Sequence, residues 1–227
     1  MIMEYRRRRV ITMFLLAGIV IVALAIYAAW QLAQSSHSPQ GNGEALVALE
    51  ALPVKGRAPK TGYARSQFGA GWTTTSGCDT RNIILARDLK QAVMSGNCKV
   101  ASGQLDDPYT GKRITFQRGS GTSTAVQIDH VVALSNAWQT GAQQLSSEQR
   151  QQLANDPLEL LAVDGPANQQ KGDGDAATWL PSHKPFRCQY VARQIAVKRK
   201  YHLWVTTGEK AAMQRVLATC PGQGVPG

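Results

Sequence analysis

Hydrophobic positions follow three patterns along the 227-residue chain. Residues 10–30 form one uninterrupted apolar run, VITMFLLAGIVIVALAIYAAW. Between residues 83 and 93 apolar residues recur at helical spacing. This pattern predicts a helix that is capped by Asp79 or Thr80 and ends at about Met94. Short apolar or β-branched stretches predict strands at 99–105, 113–117, 125–132 and 158–163.

The second half of the chain is predicted to be mostly helical. Ser146 and Gln149 have the spacing of a capping box, and Asp156-Pro157 ends that helix. The sequence Asp164-Gly165-Pro166 predicts another helix start. Further helices are predicted at 134–142, 187–201 and 207–219. Together these elements predict an α+β fold, with a small antiparallel sheet surrounded by helices.

The apolar run is long enough to cross a hydrocarbon core of about 30 Å. Four arginines at 6–9 directly precede it, and positive charge stays on the cytoplasmic side. We therefore predict a cytoplasmic basic segment at 1–9 and a transmembrane helix at 10–30, with the rest of the chain outside the cell. The alternative is a cleaved signal peptide, whose apolar region is usually about 7–15 residues; the protein would then be secreted.

Composition changes after the apolar run. Residues 31–62 are rich in Ser, Gly, Pro, Gln and Ala, which predicts a flexible linker, although residues 45–52 could form a short helix. The folded domain is predicted to extend from 63 to 220, and residues 221–227 to form a disordered tail.

The chain carries 25 basic and 15 acidic residues. Four basic residues and one acid lie in the first thirty, so the outer part has 21 basic and 14 acidic residues, a net charge of +7. This charge favours an anionic partner, either nucleic acid or an anionic wall polymer. The composition excludes a collagen-like or a wholly disordered chain.

Four cysteines lie in the outer part, and an even number outside the membrane predicts two disulfides. Three pairings are possible. We favour the two that are local in sequence, Cys78–Cys98 and Cys188–Cys220. A zinc site built from all four cysteines is the rival, but the sequence contains no Cys-x-x-Cys pair.

Polar residues between 127 and 175 have the types needed to hydrolyse a phosphodiester. His130 is suited to act as a base near neutral pH, and Asp129 and Asn168 offer hard oxygen ligands suited to Mg²⁺. Lys171 lies three residues after Asn168, on the same helical face, where it could hold a phosphate. Neighbouring residues of a regular strand point to opposite faces, so Asp129 and His130 share a site only if the strand ends or bends there.

These residues resemble a known family. The segment IDHVVALSNAW…NDPLELLAVDGPANQQKGDGD resembles the HNH endonuclease superfamily, and most closely the secreted actinobacterial branch related to the C-terminal domain of GmrSD-type restriction enzymes. The flanking segments CDTRNIILARDL, CKVASGQLDDPYTG and WLPSHKPFRCQYVARQIAVKRKYHLWVT are also similar to that branch. The resemblance covers roughly residues 63–220, which is nearly all of the outer domain.

The resemblance implies a ββα-metal fold, a divalent cation (Mg²⁺, or alternatively Mn²⁺) and DNA or RNA as substrate. By position, His130 resembles the general base, Asp129 a metal ligand and Asn168 the last metal-binding residue. Glu159 departs from the family, which usually has an orienting Asn there. A carboxylate could also orient the imidazole and would raise the histidine pKa. Asn155 is a second candidate for this role.

We therefore expect an outward-facing, metal-dependent nuclease of low sequence specificity, with Lys171 and Arg81 as candidate phosphate-binding residues. A basic helix at 187–201 could follow the phosphate backbone. The alternative is a non-catalytic module that binds extracellular DNA or a wall polymer; a toxin domain is a third reading. No protein partner is evident, and the membrane contact is through the N-terminal helix.

Overall fold

A computed structural model describes residues 43–226. Seven helices in this part are labelled α1 (Glu44–Ala51), α2 (Thr80–Asp88), α3 (Leu134–Gln139), α4 (Ser147–Asn155), α5 (Gly165–Lys171), α6 (Arg187–Lys200) and α7 (Thr207–Leu217). The strands are β1 (Thr74–Thr75), β2 (Cys78–Asp79), β3 (Lys90–Ser95), β4 (Lys99–Asp106), β5 (Arg113–Gln117), β6 (Val126–His130) and β7 (Leu160–Asp164). Short 3-10 turns lie at Arg65–Phe68, Ala142–Gln144 and Lys184–Phe186.

The strands form three small antiparallel sheets, β1-β2, β3-β4-β5 and β6-β7. The prediction of an α+β fold with small antiparallel sheets is thereby confirmed. Helix α5 follows β7 directly and packs on both β6 and β7. This β6-β7-α5 unit contains Asp129, His130, Asn168 and Lys171, and Glu159 lies directly before β7.

The β6-β7 hairpin lies between two hydrophobic cores. Along β7, Leu160 and Ala162 belong to a core formed with α2 and the β3-β4-β5 sheet, whereas Leu161 and Val163 belong to a core formed with the helices. Side chains of a strand alternate between its faces, so both faces of this hairpin are covered. The hairpin is therefore held firmly from both sides.

Helix α2 is shorter than predicted. Asp79 caps it by accepting a hydrogen bond from the Asn82 backbone, as expected, but the helix ends at Asp88. The next residues form β3, where Val93 is 56% exposed although its spacing suited the apolar face of a helix. Pairing with β4 overrides the helical pattern, because strand formation depends on partners that are distant in sequence.

The folded part begins before residue 63, and the short helix that the sequence allowed at 45–52 is present as α1 (Glu44–Ala51). Helix α1 buries Ala45 and Leu49 in the helical core, and Arg57 forms an ion pair of 2.6 Å with Asp175. The predicted disordered tail is also partly ordered. Backbone N–H groups of Gly43 and Ala45 donate to carbonyl oxygens of residues 221 and 223, at 2.6 and 3.0 Å.

Both favoured disulfides, Cys78–Cys98 and Cys188–Cys220, are present. The capping box at Ser146 is confirmed. The predicted cytoplasmic segment 1–9, the transmembrane helix 10–30 and the linker residues 31–42 lie outside the described residues. Within residues 43–226, none of the helices has the length and apolar character needed to cross a membrane.

Candidate functional site

Strand β6 ends at His130, and buried groups fix the backbone of the turn that follows. The Lys171 ammonium donates to the His130 carbonyl at 2.7 Å, and the Val131 N–H donates to the Glu159 carbonyl at 2.8 Å. The Gln194 side chain of α6 donates to the Val131 carbonyl at 2.8 Å. Because the strand ends here, Asp129 and His130 line the same cleft.

Asp129 is buried, and each of its carboxylate oxygens accepts a hydrogen bond. The Lys171 ammonium lies 2.9 Å from Oδ1, and the Tyr109 hydroxyl donates to Oδ2. Burial and the neighbouring Asp129 raise the pKa of Tyr109 well above its usual value, so this phenol stays a donor. The Asp129 carboxylate is thus balanced by an internal cation.

The His130 imidazole is also buried. Its Nε2 lies 3.0 Å from the Ala154 carbonyl oxygen, and its ring stacks on Trp72 with a centroid distance of 5.7 Å. A carbonyl can only accept, so Nε2 carries the proton and Nδ1 is the nitrogen with a free lone pair. Burial lowers the pKa of His130 to about 3, which keeps the ring neutral at pH 7.

Glu159 does not contact the imidazole. Its Oε2 accepts from the Val132 N–H at 3.2 Å, and its Oε1 has no partner among the described residues. Burial raises the pKa of Glu159 well above its usual value, which favours the neutral form of its carboxyl group. The expectation that Glu159 raises the histidine pKa is wrong; it supports the turn beyond His130. Asn155, the second candidate, accepts hydrogen bonds from Thr73 and Thr80.

A polar cleft of about 420 Å³ opens beside the end of β6. Asp129, His130 and Asn168 line it together, as predicted. Two arginines also line it, Arg65 from a 3-10 turn and Arg81 from α2. Asp173 lines it as well, so the cleft combines an imidazole, two carboxylates and an amide with two guanidinium groups, a set that suits a phosphate ester and a divalent cation.

The two predicted phosphate-binding residues differ in position. Lys171 is directed inward, with its side chain fully buried against Asp129, and it does not line the cleft. Arg81 lines the cleft, although its guanidinium also donates to the carbonyls of Ser123 and Val126 at 3.3 and 3.1 Å. Burial lowers the pKa of Arg81 from its ordinary value, and it stays a cation at neutral pH.

The family described as GmrSD restriction endonucleases, C-terminal domain, matches residues 79–216. The chain belongs to this family. An uncharacterized secreted protein of Arthroderma benhamiae is 40% identical over 175 residues, which are 76% of this chain and 82% of that protein. No solved structure matches the chain significantly. Membership in the GmrSD C-terminal-domain family supports a nuclease-related function at a coarse level.

Four residues in or beside the candidate site were missed by sequence reasoning, namely Arg65, Trp72, Tyr109 and Gln127. The Asn168 amide donates to Gln127 Oε1 at 2.9 Å, which orients it in the cleft. Tyr109 lies in the turn between β4 and β5, whose sequence DPYTG indicated a turn but no partner. These contacts span 20 residues or more, so no local spacing reveals them.

Helix α6, predicted as a basic helix, has fewer unpaired basic side chains than its sequence suggests. Lys198 is fully buried and pairs with Glu209 at 3.1 Å, while Lys200 pairs with Asp156 at 2.6 Å. The Arg193 guanidinium donates to the carbonyls of residues 157 and 158. Much of the basic run in α6 therefore stabilises the fold.

Two oxygen-bearing side chains of the cleft, Asp129 and Asn168, are of the type that a hard divalent cation binds. No group of three or more His, Cys, Asp and Glu side chains able to hold a metal exists within residues 43–226. Mg²⁺ needs only one or two carboxylates and keeps several waters. A carboxylate has about four acceptor positions, so Asp129 retains acceptors beside Lys171 and Tyr109. Asn168 adds an amide oxygen.

Proposed function

We propose that this protein is an extracytoplasmic, metal-dependent nuclease that hydrolyses phosphodiester bonds in DNA or RNA with low sequence specificity. The observation that carries the proposal is the polar cleft that holds Asp129, His130 and Asn168 together beside two arginines. An imidazole, hard oxygen ligands and cations are the groups that phosphodiester hydrolysis uses. Family membership supports the same class of activity.

His130 is the proposed general base. Its ring is neutral at physiological pH, and Nδ1 is the atom that accepts the proton of the attacking water. A base with a pKa of about 3 is weak, because catalysis is most efficient with a pKa near the working pH. A phosphate in the cleft raises this pKa, since a nearby anion favours the imidazolium.

Asp129 and Asn168 are the proposed ligands of the divalent cation. When bound, Mg²⁺ or Mn²⁺ neutralises charge at the scissile phosphate and at the leaving oxygen. Lys171 and Tyr109 hold the Asp129 carboxylate in one orientation. Arg65 and Arg81 bind flanking phosphate oxygens.

The proposed location is outside the cytoplasm. Two disulfides are typical of oxidising compartments. The relative from Arthroderma benhamiae is described as secreted, and residues 10–30 have the composition of a membrane anchor or signal segment.

Cleavage of supercoiled plasmid and of single-stranded RNA by the oxidised protein tests this proposal. Reactions contain Mg²⁺, Mn²⁺ or EDTA. We expect cleavage with metal and none in EDTA. Asn168→Ala is expected to need a metal concentration about tenfold higher or more for half-maximal cleavage, because changes around a metal site weaken metal binding by this much. Gln170→Ala, at an exposed position of α5 that does not line the cleft, is the matched control. Cleavage that persists in EDTA contradicts the metal assignment.

A second candidate function is a non-catalytic nucleic-acid-binding module. The specific observation in its favour is the Lys171–Asp129 pair, because an internal ammonium already neutralises the carboxylate that would attract a metal. Such a module retains DNA in EDTA and does not cut it with either metal.

A further inference from the structure

A second cavity adjoins the polar cleft on the other side of His130. It has a volume of about 310 Å³ and shares Arg65, His130 and Leu134 with the cleft. The chain from Arg65 to Trp72 forms most of its wall. The proposed base therefore lies at the boundary between two contiguous spaces.

The wall of this second cavity includes two aromatic residues. Phe68 and Trp72 line it, and the Trp72 ring lies nearly parallel to the imidazole, with an angle of 9° between the planes. Gly69 and Gly71 separate the two aromatic residues, with φ of +100° and +143°. Only glycine adopts such angles readily, and this backbone brings Trp72 over the imidazole.

The polar cleft and the second cavity differ in the chemistry of their walls, as the phosphate and the base of a nucleotide differ from each other. A nucleotide joins an anionic phosphate to a flat base that stacks on aromatic rings. The polar cleft has Arg65, Arg81 and Asn168, whereas the second cavity has Phe68 and Trp72. Arg65 lies in the wall of both, and the described residues carry a net charge of +7, from 21 basic and 14 acidic residues.

We propose that the Phe68–Trp72 cavity is a nucleobase subsite, which holds the base next to the phosphate bound in the polar cleft. The proposal rests on the proposed function, because it takes the cleft to bind the scissile phosphate. Stacking requires the base to leave its duplex, so the substrate class is single-stranded or locally unpaired nucleic acid. Every base presents a flat face, which gives little sequence preference.

Calorimetry on the full oxidised chain in EDTA tests the subsite without cleavage. The probes are deoxyadenosine 5′-monophosphate and 2-deoxyribose 5-phosphate, which differ only in the base. We expect the nucleotide to bind about tenfold tighter, because its base stacks on an aromatic ring and the sugar phosphate has no base to stack. Trp72→Leu removes this difference, while Trp72→Phe keeps most of it. Binding of the sugar phosphate is the same in all three proteins.

Equal binding of the two probes to the wild type overturns the subsite, and so does a base preference that persists in Trp72→Leu. A circular dichroism spectrum of each variant establishes that it is folded. Failure of the proposed nuclease activity can be distinguished from failure of the subsite. Base-dependent binding without metal-dependent cleavage retains the subsite and rejects the nuclease, whereas cleavage without any base preference retains the nuclease and rejects the subsite.

Discussion

Buried charge at the end of β6 is balanced by pairing. The Lys171 side chain is fully buried, and its ammonium contacts both the Asp129 carboxylate and the His130 carbonyl. Removal of one member of such a pair leaves an uncompensated charge in a medium of low dielectric constant. Lys171 therefore positions the site, although its sequence spacing suggested a contact with substrate.

Lys171→Met is expected to lower the free energy of unfolding by about 3–5 kcal/mol, because it leaves the Asp129 carboxylate buried and unpaired. The double variant Asp129→Asn with Lys171→Met removes both charges and is expected to recover much of the loss. Urea unfolding at pH 7 measures both. A single variant as stable as the double variant contradicts the pairing.

Glu159 gives the molecule a pH-dependent stability. Its pKa lies above the unfolded value of 4.5 because of burial, so the folded protein holds a proton that the unfolded chain has lost. This contribution is complete below pH 4.5 and decreases as the pH rises toward the folded-state pKa. The Glu159→Gln variant has a neutral side chain of the same shape, so its stability lacks this dependence on pH.

We expect Glu159→Gln to match the wild type near pH 4.5 and to exceed it at pH 8. The difference is about 1.4 kcal/mol for each unit of pKa shift. Urea unfolding at three pH values measures it. A constant difference across the range would show that the Glu159 carboxyl does not take up a proton on folding.

At the scale of elements, the sequence predicted those whose signals are local. Ser146 and Gln149 formed the expected capping box, and β5 has the predicted bounds. Helix α2 and strand β3 could not be separated, because the apolar spacing continued through Val93 and only the pairing with β4 ends the helix. Local periodicity carries no information about a partner strand.

Helix α1 lies in the segment predicted as a linker, yet it is part of the helical core. Leu49 is fully buried on α1, whereas Val47 is 59% exposed on the same helix. Leu49→Ala is expected to cost about 2–5 kcal/mol, because it leaves a cavity in the core. Val47→Ala is the control and should change the stability by less than about 0.5 kcal/mol. Equal effects in chemical denaturation would mean that α1 does not pack as described.

At the scale of the whole molecule, the candidate site could be predicted in part. The ordered set Asp129, His130 and Asn168 was found from the sequence, and the fold brings all three to one cleft. The supporting residues Tyr109 and Trp72 were not, since they reach the site from separate segments. The burial of the Lys171 side chain could not be predicted either, because helical spacing shows which residues share a face of a helix but not which element packs on that face.

The chemical role of His130 is the central claim. The most direct test is the rate of metal-dependent plasmid cleavage by His130→Ala, with His202→Ala as the matched control at an exposed position. We expect the first variant to lose about 100-fold or more in rate, as is typical when a general base is removed, and the control to keep the wild-type rate. Wild-type cleavage by a folded His130→Ala protein would contradict the account.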